Sequence, residues 1–172
     1  SYSVTGVQTC ALPIFGCAQV DYTHNSSPVK PADPTIYPYL FRYTLPEIIS
    51  TNRTIQEEYD GYKQDLTYAF VFGLRFCVSI HRCRGHLGQM PEYTRHLAWL
   101  NDLRRRFQDY LIHGRFTCTT VADLPQQFVR AEYLHADGKR LLRILWNRGH
   151  ESATCEGQII AADDLTFIET TV

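Results

Sequence analysis

The sequence predicts a mixed α/β region followed by an all-β region, with the change of class near Arg115. Three patterns carry this expectation. From Pro91 to His113 apolar residues recur at three- and four-residue steps, the period of a helix with one buried face. Beyond Gly114 the period shortens to that of strands. In that second region Asp137-Gly138 lies between two strand-like runs, a strong hairpin signal.

Residues 1–14 are set apart. Val4 to Ile14 reads VTGVQTCALPI, the conceptual translation of a common short-read sequencing adapter, with Ser1 to Ser3 as its index. Segments that are not biology are excluded from fold reasoning. The expectation is a reading frame from an untrimmed metagenomic assembly, with the native sequence upstream of Phe15 missing. The ALPIF run, which would otherwise pass for a signal-peptide core, falls largely within that stretch.

Phe15 to Asp21 reads as the end of a buried strand. Tyr22 to Pro38 is expected to be a loop, because Pro28, Pro31, Pro34 and Pro38 remove donors and fix φ. Loops of that length tend to be functional. Tyr39 to Leu45 is strand-like, and Pro46 suits the first position of a short helix over Glu47 to Thr51. Thr54 to Tyr62 is polar and helical in pattern. Asp65 to Leu74 sets Leu66, Ala69, Phe70 and Gly73 at helical spacing. Arg75 to Arg82 alternates, with Phe76, Val78 and Ile80 on one side, as a half-buried strand does.

The strongest element is the helix over Pro91 to His113. Tyr93, Leu97, Leu100, Leu103, Phe107, Tyr110 and Leu111 share one stripe, and Arg95, Asp102, Arg105 and Asp109 oppose it. Pro91 opens it and Gly114 closes it. Then come strands at Phe128 to Leu134, Arg140 to Trp146, Ala153 to Ile160 and Leu165 to Thr170. That falls short of the about seven strands of a complete sandwich.

A formal net charge of −1 argues against nucleic acid as a partner, and no apolar run is long enough for a membrane span. The aromatic share of 13% suits both sugar-handling surfaces and dense cores. There are six cysteines, one of them Cys10 in the adapter-like stretch. The odd remainder, without regular spacing, is no disulfide framework.

Cys77, His81, Cys83 and His86 invite zinc, but structural zinc sites join two separated ligand pairs across a loop. No metal and no cofactor are therefore expected. Arg104, Arg105 and Arg106 spread around most of a helix turn and read as a solvated face. Arg42 and Glu47 flank a strand end beside the long loop, where a sugar site uses bidentate hydrogen bonding and a carboxylate; a structural ion pair is the competing account. Asp21, Tyr22 and His24 follow the first strand and would reach the same end of a sheet, or simply start a polar loop.

The phrases PYLFRYTLPEIISTNR, LTYAFVFGLRFCVSIHRCRG and PEYTRHLAWLNDLRRRFQDYLIHGRF resemble the end of the catalytic barrel in bacterial glycoside-hydrolase-like proteins. The segment AEYLHADGKRLLRILWNRG resembles the opening strands of the sandwich that follows that barrel, where L-x-x-x-x-W-N recurs. The likeness runs from about Tyr37 to Gly149. It departs at Cys77 and Ser79, where such proteins tend to carry acids.

The resemblance implies an incomplete TIM-type barrel over 15–114, its last units, and a partial C-terminal β-sandwich over 115–172. A whole barrel takes about 250 residues, with its site at the strands' C-terminal ends. The chain would thus be a fragment of a carbohydrate-active enzyme acting on a carbohydrate substrate. The parent would cleave glycosidic bonds with a carboxylate pair mostly outside this chain. Glu47 and Asp21 are the candidate catalytic residues, and Arg42 and Tyr22 the candidate substrate-binding residues. A non-catalytic sugar-binding or scaffold protein of the same architecture is the alternative. A self-contained interaction domain is a third. A partial barrel would leave sheet edges and the apolar face of the Pro91–His113 helix open.

Overall fold

A computed structural model of the chain describes residues 22–23, 49–50, 61–76, 87–118, 124–125 and 127–172. Two short strands come first, β1 (Tyr22–Thr23) and β2 (Ile49–Ser50), and they pair in parallel. Two expectations are corrected here. Tyr22–Thr23 belongs to a strand and not to the loop, and Ile49–Ser50 is extended and not helical. Ile49 is β-branched, which suits a pleated surface, but the partner that selects the strand lies far away in sequence.

Helix α1 (Tyr62–Val71) buries Leu66, Ala69, Phe70 and Val71. Its end is a Schellman motif. Gly73 takes φ 62°, its amide donates to the Phe70 carbonyl at 3.0 Å, and the Leu74 amide donates to the Ala69 carbonyl at 2.8 Å. A 3-10 turn (Leu87–Gln89) leads into α2 (Pro91–Arg106). The helix breaks at Phe107, short of the expected His113, and one further turn, α3 (Gln108–Leu111), follows. Phe107 stacks on Phe167 at 4.7 Å, and the turn beyond it carries Tyr110 and Leu111 into the core.

The expected stripe is the buried one: Tyr93, Leu100, Phe107, Tyr110 and Leu111 are buried, with Leu97 and Leu103 packed against them. The open apolar face expected on this helix is absent. A sheet covers it.

That sheet orders β3 (Arg115–Cys118), β4 (Phe128–Leu134), β5 (Arg140–Asn147) and β8 (Leu165–Thr171) as antiparallel neighbours. The β4–β5 turn carries Asp137 and Gly138, the latter at φ 71°. Val129, Ala131 and Tyr133 on β4 lie opposite Trp146, Ile144 and Leu142 on β5. These continue to Leu165, Phe167 and Glu169 on β8. The apolar members of these rows join α1, α2 and α3 in one core. Residue 115, where a domain boundary was expected, divides helices from strands, yet that core draws on both sides of it. Tyr133 Oη donates to the Val71 carbonyl at 2.8 Å, tying β4 to the end of α1.

Arg104 leaves the solvated face assigned to it. Its Nη2 donates to the Leu74 carbonyl at 2.6 Å, and its guanidinium lies 4.0 Å over the Phe76 ring. Burial lowers its pKa to about 10, so it remains a cation at neutral pH.

The other face of the sheet carries a small hairpin, β6 (Ala153–Cys155) and β7 (Gln158–Ile160). The sequence reads as one strand here. Glu156 (φ 48°) and Gly157 (φ 75°) break it with a two-residue turn that has both φ values positive, the type I′ geometry of tight hairpins. Phe128 and Leu145 of the sheet meet Cys155 and Ile160 of the hairpin in a second, smaller core. The described chain is thus helices plus an antiparallel sheet, with that hairpin on the sheet's far face.

Asn147 fixes the hairpin. Its side chain is fully buried. Its amide nitrogen donates to the carbonyls of Glu151, Ile160 and Ala161 at 2.8, 3.0 and 3.0 Å, and its Oδ1 accepts the Gly149 amide at 2.9 Å. Beside it, Trp146 is buried on the helix side and donates to Asp163 Oδ1 at 3.2 Å. The Trp-Asn phrase is therefore a packing device that serves one face with each residue.

Candidate functional site

A groove of about 210 Å³ opens between α1 and α2, lined by Lys63, Glu92, Arg95, His96 and Trp99. The last four lie at helical spacing on one side of α2, next to the buried stripe. Glu92 sits in the first helical turn, where the exposed amides favour an acid. Arg95 Nη1 donates to Glu92 Oε1 at 2.7 Å, an exposed pair that contributes little to stability.

His96 Nε2 is 3.1 Å from Thr67 Oγ1 and 3.3 Å from the Lys63 carbonyl oxygen. A carbonyl only accepts, so Nε2 carries the proton. Burial pushes the imidazole below its ordinary pKa, against the Lys63 carbonyl and the Asp163 carboxylate, which favour the charged form. His96 is thus a neutral donor committed to α1. Its ring sits 5.3 Å from that of Trp99, which keeps 38% of its surface exposed.

The groove is lined by two adjacent aromatic rings and by charges of both signs. Among the described lining residues Glu92 is the one carboxylate, and it is paired with Arg95. Among the described residues no group of three His, Cys, Asp or Glu is placed to hold a metal ion. The run Cys77, His81, Cys83 and His86 lies outside the described residues.

A second polar cluster sits at the β4–β5 turn. Arg140 Nη2 is 2.6 Å from His135 Nε2, and His135 Nδ1 is 3.0 Å from Asp137 Oδ1. The Asp137 amide donates to His135 Nδ1 at 3.0 Å, so both ring nitrogens of His135 face donors. Arg140 Nε also donates to Asp137 Oδ2 at 3.0 Å. The Asp137 carboxyl is held down to about 2, first by the Lys139 amide and then by Arg140. Tyr110 meets the His135 ring edge-on at 4.7 Å and donates to Glu169 Oε2 at 2.9 Å. Burial, with that carboxylate, raises the phenol's pKa. Each polar group here faces a neighbour in the cluster, and the cluster reads as a turn lock.

Of the residues singled out in the sequence, Asp21, His24, Arg42 and Glu47 lie outside the described residues. Tyr22 is placed by its backbone alone, opposite Ile49. Lys63, Glu92, His96 and Trp99 were not singled out. The available signal was Trp99 itself, a large aromatic off the apolar stripe.

No protein-family model and no curated protein matches the chain. One solved structure is similar: the ligand-free form of a cyclic α-maltosyl-(1→6)-maltose hydrolase from Arthrobacter globiformis. Identity is 12% and the TM-score 0.48, over 73% of this chain and 35% of that one. The chain therefore spans about a third of that protein's length. At that score the likeness carries no argument about activity. No helix among the described residues is long and apolar enough to cross a membrane.

Proposed function

We propose that the chain is part of a carbohydrate-active enzyme, an incomplete TIM-type barrel leading into a partial β-sandwich. Its glycosidic-bond chemistry depends on a carboxylate pair largely outside this chain. One observation carries the reading: barrel-end phrases precede, in one chain, the sandwich-opening phrase that ends in Trp146-Asn147. The parallel pairing of β1 with β2 supports it, since parallel neighbours need the long crossover that a barrel unit provides. Asp21, Tyr22, Arg42 and Glu47 are then rim or subsite residues of that enzyme's site.

The test is to recover the upstream reading frame and assay two proteins on aryl glycosides: the joined chain and residues 15–172 alone. The joined chain should turn over and the shorter one should not. Turnover by residues 15–172 alone would refute the dependence on upstream carboxylates.

A second reading, sugar binding without cleavage, is favoured by how the described carboxylates are used. Glu92 pairs with Arg95, Glu132 and Glu156 with Arg143, and Asp137 with Arg140. An upstream frame with no facing Asp/Glu pair would select this reading.

A further inference from the structure

We propose that the groove between α1 and α2 is a sugar-binding subsite, with the indole of Trp99 as the platform for one pyranose ring. The inference rests on the carbohydrate reading above and adds a place and a ligand class to it. The chain has two tryptophans, and they are used in opposite ways. Trp146 is 1% exposed and belongs to the core, whereas Trp99 is 38% exposed and lines an open groove.

The walls decide the class of ligand. Lys63 and Arg95 donate and Glu92 accepts, in the same groove as the indole of Trp99. A hydrocarbon ligand would strip water from three charged groups without giving hydrogen bonds back. An anion would compete with Glu92 for Arg95, which already holds that carboxylate at 2.7 Å. A pyranose has C–H groups on one face and hydroxyls at its rim that both donate and accept, so it satisfies indole and walls together. His96 acts as a positioning residue. Its Nε2 is committed to α1, and its ring lies beside the indole, which limits the rotamers open to Trp99. The volume of about 210 Å³ and the open sides suit one ring of a longer chain that passes through.

The experiment is a fluorescence titration of the full chain with maltotriose, cellotriose and xylotriose. With one exposed tryptophan and one buried, a ligand-dependent change reports on Trp99. Saturable quenching by at least one of the three is expected. Trp99→Ala should weaken binding roughly tenfold or more, while Trp99→Phe keeps a platform and most of the affinity. Circular dichroism confirms that both variants fold. Lys63→Ala, an exposed change, gives a second reading by calorimetry if Trp99→Ala fails to fold, and it should weaken the same sugar. No saturable response to any of the three overturns the proposal, as does binding unchanged in Trp99→Ala, or in Lys63→Ala where it replaces that variant. If the joined reading frame cleaves glycosides while this titration fails, the groove alone falls. If the titration succeeds while the joined frame is inert, the groove stands and the hydrolase reading falls.

Discussion

The two faces of the β3–β4–β5–β8 sheet are closed by different chemistry. Toward the helices, rings and aliphatic side chains from β4, β5 and β8 interlock with three helical segments in one large core. Toward the hairpin, four buried side chains suffice, and polar groups do the rest. Asn147 holds the hairpin's carbonyls, and Glu156 binds Arg130 at 2.9 Å and Arg143 at 2.8 Å along the rim. The first face is stabilised by area removed from water and the second by satisfied polar partners. The two should therefore respond to different perturbations.

The sharpest test uses two adjacent residues of β5 that serve opposite faces. Trp146→Ala leaves a cavity in the large core and should cost about 3–5 kcal/mol in urea unfolding, with the whole domain lost together. Asn147→Ala removes no comparable area but strands three carbonyls and an amide, on the order of 3 kcal/mol. Its signature differs. Amide exchange should accelerate first in 149–161, while α2 stays protected. Equal acceleration in both regions would show that the faces are one cooperative unit.

Gly114→Ala tests the helix side by overfilling it. A Cβ there would lie 2.3 Å from the Leu134 carbonyl oxygen and 2.5 Å from that of Tyr110, both backbone atoms. Neither can move without shifting β4 or α3, so a loss of about 1–3 kcal/mol is expected. A thermal scan showing no change would mean that the end of α3 is not seated on β4.

The helix side was the legible one. The Tyr93-to-Leu111 stripe and the Asp137-Gly138 turn are local patterns, and local patterns are what a sequence displays. The hairpin side was obscured. Glu156-Gly157 lacks the usual Asn or Asp of its turn type, so Ala153 to Ile160 reads as continuous. The hydrogen bonds that the Asn147 amide nitrogen donates reach residues 4 to 14 positions away. Ile49–Ser50 was misread because its partner is Tyr22–Thr23, and Arg104 because Leu74 and Phe76 are distant in sequence. The groove was harder still. Arg95 was seen to face away from the core, but an off-stripe Trp99 has meaning only once α1 stands beside α2.

Proton uptake distinguishes the faces more gently. As pH falls through 6.5 the unfolded chain takes up a proton that half-buried His96 refuses, so the helix side loses stability until the lowered folded-state pKa is reached. His96→Gln should flatten that part of the stability–pH curve below neutrality. An unchanged slope would place the titration in other histidines.

The smallest expected effect belongs to the rim of the hairpin. Glu156→Gln keeps the side chain's length and the positive φ of 48°, and removes only the charge shared between Arg130 and Arg143. The loss should be about 1 kcal/mol or less at low salt. Salt screens partly exposed pairs, so the gap between Gln and wild type should narrow as ionic strength rises toward about 1 M, where the Debye length is about 3 Å. Glu156→Asn separates strain from charge. Asparagine accepts the left-handed conformation more readily but is too short to reach both guanidinium groups. If Asn is the more stable of the two variants, the turn's backbone matters more than its ion pairs. If the Gln gap ignores salt, neutral hydrogen-bond geometry closes this face, and the contrast with the helix side narrows to the amount of apolar area each one buries.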